Sequence, residues 1–246
     1  MKLADKMAAG RLINKRKAPY FSSLIQSLVP HETDQCPTIG ITKYLVLVYN
    51  AAWLDTCTAE QICGLYWHEG MHIILGHHER RGDRDHLLFN IAGDIFINDQ
   101  GRDAGFQFPA GGMYPETFGF PRNLTSDEYY ALLVKMGKEQ AQAKQEEGGG
   151  GQGEGEPDPT KRKWQSGNCG SGAGNEQADE PDASDPAVGG RSESEVRQTT
   201  MRVAEMVKAE AAKGRGRMPC GLDRWADEVL APPQVPWQTK LGRMVR

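Results

Sequence analysis

The chain gathers five of its six histidines between His68 and His86. Two of them stand four apart in His68-Glu69-Gly70-Met71-His72, an HExxH. Residues four apart on an α-helix lie one turn above each other on one face, so both imidazoles can reach a single metal ion. Glu69 is rotated by about 100° from His68. That places its carboxylate beside such an ion, where it can take a proton from a water molecule. Zn2+ lowers the pKa of a bound water to about 7, and the carboxylate can return the proton to a leaving amine. The chemistry implied is hydrolysis at a metal centre. An accidental HExxH is expected in a chain of this length about once in a hundred times. The plain alternative is a surface helix with two solvated histidines, and a plausible third ligand weighs against it.

A catalytic zinc site takes three protein ligands and keeps one position open. His77, His78, Glu79, Asp83, Asp85, His86 and Asp94 follow the motif. If the helix continues to Glu79, His77 points away from His68 and is excluded. His78 has the offset of the third histidine in HExxHxxGxxH sites, although position 75 is Leu75 and the glycine falls at Gly76. Asp94 is the stronger candidate. It sits among Ile91, Ile95 and Ile97, where an unpaired carboxylate is costly and a metal removes the cost. Asn90, Asp94 and Asn98 share a stripe at four-residue spacing, so the asparagines are placed to orient the carboxylate. The plain alternative for Asp94 is a hydrogen-bonded acid on a helix surface.

The expected site is therefore His68, His72 and Asp94 around Zn2+, with Glu69 as acid/base. His78 stays open as a third ligand, and a closed site including it would be structural rather than catalytic. Two histidines and a carboxylate also suit Fe(II), but a general base beside the ligands belongs to hydrolysis. Tyr66, Tyr114 and Arg80 are candidate donors to a developing oxyanion, and the spacing selects none of them. His31 reads as a loop residue, His86 as lying near a helix start, and His77 as exposed or packing. The Arg-Gly-Asp at Arg81 to Asp83 reads as a turn.

Elements must hold these side chains in place. Thr58 to Gln61, "TAEQ", is a capping box that opens the histidine helix. "DHLLFNIAGDIFINDQG" reads as a second helix, opened near Asp85, stopped by Gly101 and burying Leu88, Ile91, Ala92 and Ile95. Upstream, a basic amphipathic helix turns Leu3, Met7 and Ile13 inward. "APYFSSLIQSLVP" is a helix between Pro19 and Pro30, and "GITKYLVLVYN" is one strand.

Composition divides the chain into three regions. Residues 1–136 carry the dense apolar patterning. Residues 137–194 are a flexible Gly/Glu-rich linker, with sequence such as "KQEEGGGGQGEGEPDP" that cannot bury enough surface to offset its entropy. Its glycines are no phosphate loop, since no strand precedes and no helix follows them. "KWQSGNCGSG" is its one ordered-looking island. Residues 195–246 are helical: a helix through Val196, Met201, Val203 and Val207 ends at Gly214, "GLDRWADEVLAPP" forms another, and "VPWQTKLGRMVR" begins a third. Such a segment is too small for its own core, so it packs on the first region or on something beyond Arg246.

The net charge of −4 gives no electrostatic case for nucleic acid or membranes. No apolar run approaches the roughly 18 residues of a membrane span, and the basic N-terminus lacks a signal-like apolar region. The five cysteines are odd in number, scattered and free of C-x-x-C pairs, which indicates no disulfide framework and fits a reducing cytoplasm.

"YWHEGMHIILGHHERRGDRDHLLFNIAGDIFIN" resembles the metallopeptidase domain found upstream of VWA-like domains in bacterial and phage proteins. "KAPYFSSLIQSL" resembles that family's opening helix, "YLVLVYNAAWL" its strand before the metal helix, and "LTSDEYYALL" its closing helix. "CGSG" and "VPWQTKLGRMVR" extend the similarity over most of the chain outside the linker. The resemblance implies a zincin-like α+β fold with a small sheet. It implies His68 and His72 as ligands, Glu69 as acid/base, Asp94 as third ligand, and a peptide or protein substrate. It also implies that "YLVLVYN" pairs with extended substrate and that a VWA-like domain would follow residue 246; no D-x-S-x-S motif occurs in these residues. A second reading is a non-catalytic adaptor of the same fold working beside a MoxR-type AAA+ ATPase, as related VWA-containing proteins do. An intact Glu69 argues against it.

Overall fold

The computed structural model describes residues 1–147, 189–214, 218–219 and 221–232. The chain opens with α1 (Leu3–Lys17), and a 3-10 turn at Pro19–Phe21 leads into α2 (Ser22–Ser27). Three short strands follow: β1 (Val29–Glu32), β2 (Ile39–Ile41) and β3 (Val46–Tyr49). Then come α3 (Ala51–Leu54), α4 (Ala59–Ile74), α5 (His77–Arg80), α6 (His86–Asp103), α7 (Pro115–Phe118) and α8 (Ser126–Glu147). Beyond residue 188 lie α9 (Glu193–Ala212) and α10 (Leu222–Leu230). The class is α+β: helices dominate, and one mixed sheet has the order β1-β3-β2, with β1 parallel and β2 antiparallel to β3.

The sheet departs from expectation in two ways. "GITKYLVLVYN" is not one strand but a hairpin, β2 and β3. Thr42 Oγ1 accepts from the backbone N–H groups of Tyr44 and Val46, each at 3.3 Å. A Thr side chain bonding its own following backbone competes with extension and starts a turn, and Leu45 completes it at φ 61°. The helix expected up to Pro30 ends at Ser27, and Val29–Glu32 becomes an edge strand. Pro30 is tolerated there because an edge strand has a side that needs no N–H. His31 therefore lies in β1, opposite Val48, and not in a loop.

α4 opens on the expected capping box: Thr58 Oγ1 accepts from Gln61 N–H at 3.2 Å, and Gln61 Oε1 accepts from Thr58 N–H at 2.8 Å. α1 lies against α4, with Leu3, Met7 and Ile13 turned to the core. α6 starts on Asp85, whose Oδ1 accepts from Leu88 N–H at 2.9 Å. It runs past Gly101 to Asp103; Gly101 serves packing rather than termination, since the rings of Phe108 and Trp67 fill the space its Cβ would take, at 2.6 and 2.7 Å. Gly105, at φ 83°, takes the left-handed position instead.

A buried carboxylate pins the chain after α6. Asp99 accepts from Arg102 Nη2 and Arg122 Nε, both at 2.7 Å, and from Asn123 N–H at 3.1 Å. Val203, Ala204, Val207, Leu222 and Ala226 of α9 and α10 join the main core, and Arg191 Nε donates to Ser27 O at 3.0 Å. α8 extends to Glu147, past position 136. "KWQSGNCGSG" and "VPWQTKLGRMVR" lie outside the described residues. Among the described residues, no helix is long and apolar enough to cross a membrane.

Candidate metal centre

α4 supplies His68 and His72, and α6 supplies Asp94 from across the interface. The two Nε2 atoms are 3.0 Å apart, and Asp94 Oδ1 lies 3.3 Å from His68 Nε2 and 3.1 Å from His72 Nε2. Ligand atoms about 2.0–2.1 Å from one tetrahedral ion stand roughly 3.3 Å from each other, so the triangle has nearly the right size. All three residues are buried, at 3 %, 0 % and 2 % exposure. Solvent cannot satisfy the carboxylate, and Asp94 Oδ1 has no partner among the described residues beyond these two imidazoles. A buried acceptor aimed at two imidazole nitrogens is what a divalent cation would satisfy. Among the described residues, His68, His72 and Asp94 are the one group that could hold a metal ion, and His78 is not part of it.

Each imidazole is backed at its other nitrogen. Asn98 Oδ1 is 2.9 Å from His68 Nδ1, and Asn98 Nδ2 donates to Met113 O at 2.9 Å, which fixes the amide's orientation. The stripe of asparagines suggested support for the Asp94 carboxylate, but Asn98 instead supports His68. Behind His72, Nδ1 lies 2.9 Å from His77 Nδ1, and His77 Nε2 lies 3.3 Å from Ser126 Oγ.

His77 was excluded only for a helix continuous to Glu79, and the helix is not continuous. α4 ends at Ile74, Gly76 adopts φ 60° and ψ 37°, and α5 starts at His77. The break turns His77 inward to full burial, neither exposed nor a mere packing residue. Gly76, directly after the periodic run, was the available signal, since a left-handed glycine commonly closes a helix.

The electrostatics follow from burial and from these neighbours. Burial pulls the His68 pKa down, but Asp94 and then Glu69 outweigh it and leave it raised. Burial opposes ionisation of Asp94, yet His68 and His72 hold its pKa below the ordinary carboxylate value. Burial, reinforced by the charge of His72, drives His77 well below the usual imidazole range. His78 is pushed down to about 3 by burial, with His72 and Lys43 adding to it. Glu69 is fully buried, and its charge reaches both His68 and Cys36.

A cleft of about 130 Å³ opens onto His68, Asp94 and Asn98, with Trp53, Leu65 and Phe108 among its apolar walls. Thr38 and Ile39 line it as well, so the strand at the cleft is β2. "YLVLVYN" was expected to receive extended substrate. Its strand β3 is central, with both sides taken by β1 and β2, and the edge beside the cleft is β2. Of the three candidate oxyanion donors, Arg80 is paired with Asp127 on α8, and Tyr66 packs under Arg11 of α1. Tyr114 stands beside the cleft residue Gly112.

The sequence model of one protein family, described as "Putative metallopeptidase domain", matches residues 3–246. No curated protein and no solved structure matches the chain.

Proposed function

The chain belongs to the family described as a putative metallopeptidase domain, and from that membership we propose that it is a zinc-dependent peptidase. The observation that carries this reading is the buried triangle of His68 Nε2, His72 Nε2 and Asp94 Oδ1, in which the carboxylate oxygen has no partner among the described residues other than the two imidazoles. These three atoms would hold the ion. When bound, Zn2+ would acidify a water molecule and polarise a peptide carbonyl.

Glu69 takes the proton of the attacking water and passes it to the leaving nitrogen. Its complete burial shields the carboxylate from bulk water. Asn98 accepts from His68 Nδ1–H, which fixes the ring and directs its Nε2 lone pair to the triangle. The edge of β2 beside the cleft can pair with an extended peptide, and the apolar walls favour an apolar substrate side chain.

The test is a peptide-library digestion read by mass spectrometry. The expected result is cleavage that stops with chelator, returns with zinc, and is lost in Glu69→Gln although zinc is retained. Cleavage that survives both the chelator and Glu69→Gln would contradict the proposal.

A further inference from the structure

We infer that His77 sets the position of the proton on His72, through a chain His72–His77–Ser126, and so is a positioning residue for a metal-binding imidazole. The inference rests on the zinc reading above. For His72 Nε2 to face a cation with its lone pair, the ring's proton must sit on Nδ1. Nδ1 faces His77 Nδ1 at 2.9 Å, so that atom must be the bare, accepting nitrogen. His77 then carries its own proton on Nε2, and Ser126 Oγ stands 3.3 Å away to accept it.

The reverse direction fails at the other end. If His77 Nδ1 donated to His72, the His72 proton would lie on Nε2. That atom is 3.0 Å from His68 Nε2 and 3.1 Å from Asp94 Oδ1, so the proton would occupy the place of the ion. The donor order is therefore fixed outward from the centre. A neutral imidazole as acceptor orients His72 without adding negative charge behind it.

Three further features, on α6 and at the start of α8, make room for this arrangement or hold it. A Cβ on Gly93 of α6 would stand 2.6 Å from His77 Cε1 and 2.7 Å from its Nδ1. The bare helix face there is what allows the ring to lie against His72. Phe89, one turn earlier on α6, meets the His77 ring edge-on at 5.6 Å between centroids. Ser126 opens α8 just after Thr125, and Thr125 and Glu128 exchange backbone and side-chain hydrogen bonds at 2.8 and 3.3 Å. That exchange fixes the helix start, and with it the serine hydroxyl.

The test measures zinc affinity of the full chain by competition with a chelator. His77→Leu removes the acceptor and should bind zinc about 10–100-fold more weakly. His77→Asn can put its Oδ1 where Nδ1 was and should bind close to wild type. Gly93→Ala, which displaces the ring, should resemble His77→Leu. In zinc-loaded wild type labelled with 15N-histidine, the ring shifts should show the proton on Nδ1 of His72 and on Nε2 of His77.

Unchanged affinity in His77→Leu, or a His77→Asn as weak as His77→Leu, overturns the inference. Should His77→Leu fail to fold, the wild-type spectrum decides, and a proton on His77 Nδ1 would overturn it. If the wild type binds no zinc, the peptidase reading falls and this inference with it. Tight wild-type binding that is indifferent to His77 removes this inference alone.

Discussion

The two histidines of the centre are braced by different parts of the chain. His68 leans on Asn98, which stands one turn beyond Asp94 on the same helix, and that helix is regular throughout. His72 leans on His77, which follows a left-handed glycine just past the end of its own helix, and through it on Ser126 of α8. One brace needs two helices to meet. The other needs a helix to stop at a left-handed glycine and the next turn to pack against two more elements. Equal donor–acceptor distances of 2.9 Å thus rest on very different amounts of tertiary structure. The His68 brace should tolerate strain that the His72 brace does not.

The largest expected effect concerns what both braces serve. Glu69→Gln should lower peptidase activity by about 10²–10⁴-fold, the usual contribution of a positioned acid/base, with zinc content unchanged. Steady-state kinetics beside elemental analysis checks it. Asn98→Leu removes the His68 brace and should weaken zinc binding by about 10–100-fold. If Asn98→Leu and His77→Leu weaken binding equally, the two braces are equivalent in strength despite their different origins.

The comparison also explains which parts were legible in the sequence. The capping box of Thr58 and Gln61, the Asp85 cap, and the stripe carrying Asp94 and Asn98 all lie inside single elements, where period and end signals suffice. What failed depended either on local turn chemistry inside an apolar run or on contacts between elements. The hairpin of β2 and β3 turns on a Thr42 side chain bonding its own backbone. Gly101, which looked like a stop, is instead a packing glycine under Phe108 and Trp67 inside the helix. His77 faced the wrong way only while α4 was taken as continuous. The edge strand at the cleft was misassigned because strand order is a property of the sheet and not of any one segment.

Two smaller effects sharpen the contrast between the centre and its surroundings. Gly101→Ala drives a Cβ into Phe108 and Trp67 and should destabilise the fold by about 1–3 kcal/mol, a typical overpacking cost. Chemical denaturation measures it, and zinc affinity should follow only weakly. The smallest effect is on pH dependence. The folded pKa of His78, about 3, lies below its ordinary 6.5, so between these values the unfolded chain binds more protons than the folded one. Its contribution to stability is complete above about pH 6.5 and drains away as pH falls towards 3. In metal-free protein, His78→Gln should flatten the stability–pH curve over that window, and an unchanged slope would place the acid sensitivity elsewhere.

The most direct measurement is the zinc content of purified wild type, Asp94→Ala and His78→Ala after stripping and reloading. The predicted result is about one tightly held zinc per chain in wild type and His78→Ala, and loss of tight binding in Asp94→Ala. A wild type that holds no zinc, or an Asp94→Ala protein that keeps it, would contradict the three-residue centre.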